Sequence, residues 1–208
     1  MRALIPLLCR WLLLAGSAIA AAAAAAAAPV VDARLAGHWQ LDAAASDSFD
    51  TQLQHYLAAT QQAQRQHDRR HRRFELTQAE TAAGVPDELP PEPQETQRQR
   101  LVDALRPPTQ LRIALQGDAV EFAPDDLPPS SMPVDEVMIR VDASGSAQVR
   151  LKPASGGMSL SYRYLGDARR SQQYQLDGKT GTLRVTLVWQ EHDGVKFTLR
   201  SVYRRQGV

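Results

Sequence analysis

Two histidines four residues apart, His67 and His71, sit in the run QRQHDRRHRR between Gln64 and Arg73. On a helix, that spacing puts both imidazoles on one face, and the H-E-x-x-H motif uses it to hold zinc. Here Asp68 replaces the glutamate, which shortens the would-be base by a methylene. Five arginines, Arg65, Arg69, Arg70, Arg72 and Arg73, surround the pair and repel a divalent cation, and no third ligand stands nearby in sequence. The run therefore reads as a solvated, charged helix end and not as a metal site. The same five arginines against one Asp also form a basic cluster. Its fitting partners are an anionic lipid headgroup or an acidic protein.

Other reactive residue types fall where turns are expected. Ser144-Gly145-Ser146 and Ser155-Gly156-Gly157 are turn signals, and no nucleophile elbow or glycine-rich phosphate loop is present. Asp125-Asp126 and Asp135-Glu136 lie in or beside a proline-rich stretch and read as loop charges instead of a hydrolytic acid/base pair. His192-Asp193 reads as a hairpin tip. No catalytic motif emerges, so the expectation is a non-enzymatic protein without cofactor or metal. The aromatic residues give the other candidate chemistry. Tyr162, Tyr164 and Trp189, if they face inward, can line an apolar pocket and offer it polar handles.

The elements that would position them are mostly strands. In Thr182–Arg205, apolar Leu183, Val185, Leu187 and Trp189 alternate with polar residues. After Asp193-Gly194, the alternation resumes at Val195, Phe197, Leu199 and Tyr203. Period-2 patterning on both sides of an Asp-Gly turn is a strong hairpin signal. A lone hairpin is marginal in water, so further strands must cover these faces. Leu35–Leu41 predicts a first strand, in which Gly37 beside an indole suggests close approach of another backbone. A helical excursion follows. Ser46-Asp47-Ser48 can cap a helix carrying Phe49, Leu53, Tyr56, Leu57 and Thr60 on one face, which runs to about Leu76. Gly84–Pro93 is a proline-rich linker, and Gln94–Arg106 resumes helical spacing until Pro107-Pro108. From Thr109 onward alternation returns in short runs, with Pro124–Pro133 read as a second linker. The count is about eight to nine strands at close spacing. That predicts a mainly β, antiparallel up-and-down barrel or half-open barrel with a helical insertion (43–108) after the first strand.

Composition sets the compartment and limits the partners. Residues 1–28 form a positive start, an apolar stretch and an alanine-rich tail, the pattern of a cleaved Sec-type secretory signal, with 29–208 as a single domain. Cys9 lacks the small preceding residue that a lipoprotein site needs. Removing the signal takes Arg2 and Arg10 away, which leaves 22 of the 24 Lys+Arg against 23 Asp+Glu. That near-neutral balance gives no field for nucleic acid. Cys9 is the one cysteine, so a mature chain has no disulfide or thiol chemistry. The expected location is periplasmic or secreted, with no membrane-spanning segment after cleavage.

Gly37-His38-Trp39 in the first strand and Tyr203-Arg204-Arg205 in the last resemble the ends of lipocalin-like barrels. The resemblance implies that Trp39 closes one end of the barrel and that Arg204 or Arg205 packs across it. The layout is also similar to secreted proteins of Gram-negative bacteria that carry no established activity. They share a G-x-W-x-L strand (Gly37–Leu41), a Ser-Asp step (Ser46-Asp47) into a helix, an L-x-I strand (Leu111–Ile113) and a basic last strand. Two functions follow as expectations. One is a lipocalin-like module binding a small apolar or amphipathic ligand through Tyr162, Tyr164 and Trp189. The other is an envelope interaction protein whose barrel is filled and whose arm, Arg65–Arg73, meets an anionic lipid or an acidic partner.

Overall fold

The computed structural model describes residues 30–78, 94–125, 127–191 and 194–207, with 72–78 and 94 described by backbone alone. The segment 1–28 expected to be a secretory signal, the expected linker Gly84–Pro93, Asp126 and the tip residues His192 and Asp193 lie outside the described residues.

Ten strands form one antiparallel sheet. In chain order they are β1 (Gly37–Leu41), β2 (Gln110–Gln116), β3 (Ala119–Pro124), β4 (Ser130–Pro133), β5 (Val137–Asp142), β6 (Gly145–Ala154), β7 (Gly157–Tyr164), β8 (Arg169–Leu176), β9 (Leu183–Gln190) and β10 (Lys196–Arg205). The sheet order is β4-β3-β2-β1-β10-β9-β8-β7-β6-β5. Every neighbour but β1–β10 and β1–β2 is thus a sequential hairpin. Ladders continue unbroken from β4 round to β5. The seam between those two strands is spanned by an isolated bridge from Val134 to Leu151, by the Asp135 N–H donating to the Leu151 carbonyl (2.8 Å), and by Arg140 donating to Ser130 Oγ. The result is a nearly closed barrel with one open seam.

Strand alternation explains the burial. On β9, Leu183, Val185, Leu187 and Trp189 face inward, and on β10 Phe197, Leu199, Ser201 and Tyr203 do so. These inner faces join those of β6 and β7 in one core. Sequence patterning placed nine strands; the tenth, β4, lies inside the segment expected to be a linker. It is four residues long and ends in Pro133, so it shows no alternation. Proline is tolerated there because β4 is an edge strand.

The first strand starts later than patterning suggests. Ala33–Leu35 is a single 3₁₀ turn capped by the Asp32 carboxylate, and β1 begins at Gly37. Trp39 is buried, and its Nε1–H donates to the Leu35 carbonyl at 2.9 Å. The guanidinium of Arg205, directly across in register, lies 4.7 Å from the Trp39 ring centroid and donates to the Arg34 carbonyl. Arg204 points the other way and pairs with Asp42 at 2.6 Å. Of the two arginines, Arg205 is therefore the one across the indole. Gly37 sits at φ +151°, and a Cβ there would lie 3.1 Å from Arg205 Nη1. The close neighbour at Gly37 is thus a side chain, where a backbone was expected.

Between β1 and β2 come α1 (Phe49–Gln78) and α2 (Gln94–Leu105). Ser48 caps α1, accepting from the Thr51 N–H through Oγ. Where β1 stops, the turn before α1 completes the edge of β10: the Val202 N–H donates to Ser46 Oγ and the Arg200 N–H to Asp47 Oδ2, both at 2.8 Å. Those side chains replace a strand partner that β10 would otherwise lack. Phe49 and Tyr56 meet Phe197 edge-on, each with 6.0 Å between centroids, and Leu53 is buried behind them. Leu101 and Leu105 bury α2 beside α1. The helix pair therefore covers the barrel end at which β10 begins. No helix among the described residues is long and apolar enough to cross a membrane.

Candidate ligand-binding site

The barrel is not filled by its own side chains. A cavity of about 380 Å³ lies under the end of α2. Its wall is apolar, with Leu111, Phe122, Leu160, Val185, Leu187 and Leu199 contributed by five different strands. Alternation accounts for this wall, because each of these residues occupies an inward position of its strand. Its mouth is framed by three segments: the α2 end with Ala104–Pro108, the β3–β4 loop with Leu127 and Pro128, and the β5–β6 turn with Asp142 and Ala143. Tyr203 fixes one side of that frame by donating its hydroxyl to the Pro108 carbonyl at 3.1 Å.

Arg170 is the polar centre of the site. It comes from an inward position on β8 and is 8% exposed. Its Nη2 lies 3.0 Å from Asp142 Oδ2 and its Nη1 donates to the Ala104 carbonyl at 3.1 Å. The guanidinium carbon sits 3.7 Å from the Tyr162 ring centroid and 5.8 Å from that of Tyr164. Three effects thus hold one cation: a carboxylate, an aromatic face and the carbonyl end of a helix, where positive charge is favoured. Burial alone would drive Arg170 toward neutrality. The surrounding Tyr162, Tyr164 and Asp142 outweigh it, so its pKa is raised and it stays charged. Its Nε–H has no partner among the described residues, and a buried donor left unmet costs about 1–3 kcal/mol.

Tyr164, Tyr174 and Tyr203 are held neutral. Burial pushes Tyr164 up, against the opposing pull of Arg170, and its hydroxyl donates to Asp142 Oδ2 at 2.7 Å. Burial likewise raises Tyr174 and Tyr203.

Of the aromatic residues expected to line a pocket, Tyr162 borders the cavity directly. Tyr164 and Trp189 are buried next to it, 5.3 Å apart in an edge-on pair, and form no part of its wall. The basic cluster is spread along the distal part of α1. Thr60 is the last buried residue of the helix among those whose side chains are described, and Gln64–His71, with Arg65, Arg69 and Arg70, are exposed. The side chains of Arg72 and Arg73 lie outside the described residues. His67 and His71 approach to 3.1 Å between Nε2 atoms. Among the described residues no group of three His, Cys, Asp or Glu side chains is placed to hold a metal ion.

Sequence reasoning missed Arg170 and Asp142. The signal for Arg170 was present: Arg169 and Arg170 are adjacent in a strand, and alternation must send one of them inward. Asp142 was read only as part of a turn.

No family model matches the sequence, and no curated protein does. Several solved structures are similar at low identity. The apo form of Caenorhabditis elegans lipid binding protein 8 is 14% identical over 86% of this chain and 100% of its own, with a TM-score of 0.49. A structure described as REP1-NXSQ fatty acid transporter is 15% identical over 85% and 99%, with a TM-score of 0.45. A fatty acid-binding protein from Drosophila melanogaster brain is 14% identical over 80% and 95%, at 0.43. Scores at this level leave the function to be judged on the cavity alone.

Proposed function

We propose that this chain is a non-enzymatic carrier, periplasmic or secreted, that holds a small amphipathic ligand inside its barrel. The observation that supports this reading is the cavity of about 380 Å³ in an interior that small barrels usually fill with side chains. Its size falls at the lower end of the range of about 300–1,000 Å³ for small-molecule sites. The ligand's apolar part packs against Leu111, Leu160, Val185 and Leu187. Its polar end lies at the mouth, where the unmet Arg170 Nε–H offers a donor. The compartment rests on the signal-like opening of the sequence.

The test is native mass spectrometry of the protein purified from its own compartment, with organic extraction, joined to titration with a fluorescent acyl probe. A co-purifying lipid-like mass and saturable probe binding are expected. Leu187→Trp, which fills the cavity, lowers probe affinity at least tenfold. Absent binding, or binding that the filler leaves unchanged, refutes the carrier.

A second reading has one observation in its favour. Helix α1 continues past the buried Thr60 and carries Arg65, Arg69 and Arg70 at exposed positions. Such an arm suits an envelope contact with an anionic lipid or an acidic protein.

A further inference from the structure

Strands β6 to β10 contain ten Lys and Arg residues and no Asp or Glu. In a chain whose total charge is close to balanced, this is a strong asymmetry. Arg170 turns inward and Arg205 covers Trp39, but most of the others stand on the outer face of the sheet. The strand register aligns them. One transverse row runs Ile139, Gln148, Arg163, Arg169, Gln190, Lys196 from β5 to β10. At about 4.8 Å between strands, the row spans about 24 Å. A parallel row carries Lys152 at one end and Arg200 at the other, with Ser159, Gln173 and Thr186 between.

Arg163 and Arg169 oppose each other directly, a placement that destabilises a sheet pair. Both are exposed, and neither they nor Lys196 form an ion pair among the described residues. The acids near this face sit in turns, as Asp135 does beside Arg150 at 3.7 Å.

The first of these rows ends on an apolar edge. Val137, Ile139 and Val141 of β5 are 59%, 68% and 71% exposed on the same outer face. Leu165, 86% exposed in the β7–β8 turn, donates its N–H to the Ser146 carbonyl and extends this edge toward the mouth. A groove of about 550 Å³ bordered by Val137, Gln148, Arg150, Arg163, Arg169 and Lys196 runs between the two regions.

We infer that the outer face of β5–β10 is a docking surface for an anionic lipid bilayer. The cations meet phosphate headgroups, and the β5 stripe with Leu165 enters the headgroup–acyl boundary. Charge complementarity alone would also admit a nucleic acid or an acidic polysaccharide. Neither gives a use to an exposed β-branched stripe, and the face presents no exposed aromatic residue on which a base could stack. Docked this way, the β5–β6 turn that frames the cavity mouth lies at the membrane. The surface stands independently of the identity of any ligand.

The test is co-sedimentation of the full protein with vesicles of equal parts phosphatidylglycerol and phosphatidylcholine at low salt, against vesicles of phosphatidylcholine alone. Binding to the anionic vesicles and none to the neutral ones is expected. Each cation contributes about fivefold at such a surface. Arg163→Gln, Arg169→Gln and Lys196→Gln together therefore weaken binding about a hundredfold, while Ile139→Ser with Val141→Ser also weakens it. All five sites are exposed, and unchanged circular dichroism checks the fold. The proposal is overturned by failure of the wild-type protein to bind, or by full binding of the triple variant. It is also overturned if loss comes instead from Arg65→Gln, Arg69→Gln and Arg70→Gln on the helical arm. Binding to heparin that matches vesicle binding and ignores the β5 substitutions overturns it too, in favour of a general polyanion surface.

Discussion

Asp142, the last residue of edge strand β5, and Arg170 of β8 meet at 3.0 Å across the mouth of the barrel. Two strands separate them in the sheet, so the pair ties the free edge of the barrel to its middle. Through Ala104 the same arginine also holds the end of α2.

Removing one partner of a buried pair leaves the other charge stranded, which costs about 3–5 kcal/mol. Asp142→Asn is expected at the lower end, about 3 kcal/mol, because its side chain is 22% exposed. The double substitution Asp142→Leu with Arg170→Met recovers most of that loss. Urea unfolding of the two variants measures it, and a double as unstable as the single would show that the charge pair is not what matters.

Arg205 and Arg204 are adjacent and have unequal roles. Arg205→Ala removes the cation above the Trp39 indole and costs about 1 kcal/mol. Arg204→Ala removes an exposed partner of Asp42 and costs less. Thermal melts rank the two, and indole fluorescence shifts in the Arg205 variant alone if the contact is as described.

Gly157 faces the carbonyl of Tyr174 so closely that an added Cβ would stand 1.9 Å from its oxygen. Backbone must move to admit it, and Gly157→Ala is expected to cost about 3 kcal/mol, the upper part of the overpacking range. Gly156→Ala, at φ +69° with open space around it, costs only the left-handed penalty of about 1 kcal/mol. Equal losses at the two sites would contradict the β7–β8 register.

Stability depends on pH at both extremes. The Arg204 hydrogen bond holds the Asp42 carboxyl below its usual range, and the Lys179 N–H does the same for Asp177. A depressed carboxylate pKa gives stability that is present above the unfolded value of about 3.9 and lost as pH falls through the folded one. At the alkaline side, burial raises Tyr164, Tyr174 and Tyr203, so the unfolded chain sheds those protons first and stability drops above about pH 10. Tyrosinate absorbance followed with circular dichroism should show these three ionising only as the protein unfolds. Their ionisation in folded protein would count against the buried placement.

Much of the barrel was legible as alternation. Eight strands after Thr109 were marked by period-2 alternation, although in β5 the alternating Val137, Ile139 and Val141 face outward, and the capping serines marked α1. What escaped did so for definable reasons. Strand β4 is too short and too proline-bound to show a period. The selection of Arg205 over Arg204 follows from counting two residues on from inward Tyr203, but only once Tyr203 is known to face in. Arg170 was hidden because the pattern of β8 registers only at Tyr174 and Leu176, with Arg169 to Gln173 uniformly polar. The cavity itself has no sequence signal, since alternation assigns sides without fixing strand tilt or curvature.

The seam between β4 and β5 gives the barrel an adjustable girth. Where ladders close completely, the circumference is fixed by strand number and stagger, and widening it means breaking a row of backbone hydrogen bonds. Here, among the described residues, the Val134–Leu151 bridge, one further backbone bond, the Asp135–Arg150 ion pair and the Arg140–Ser130 contact cross the gap. The wall can loosen there while all nine ladders stay intact, which would let the proposed carrier take guests of unequal width.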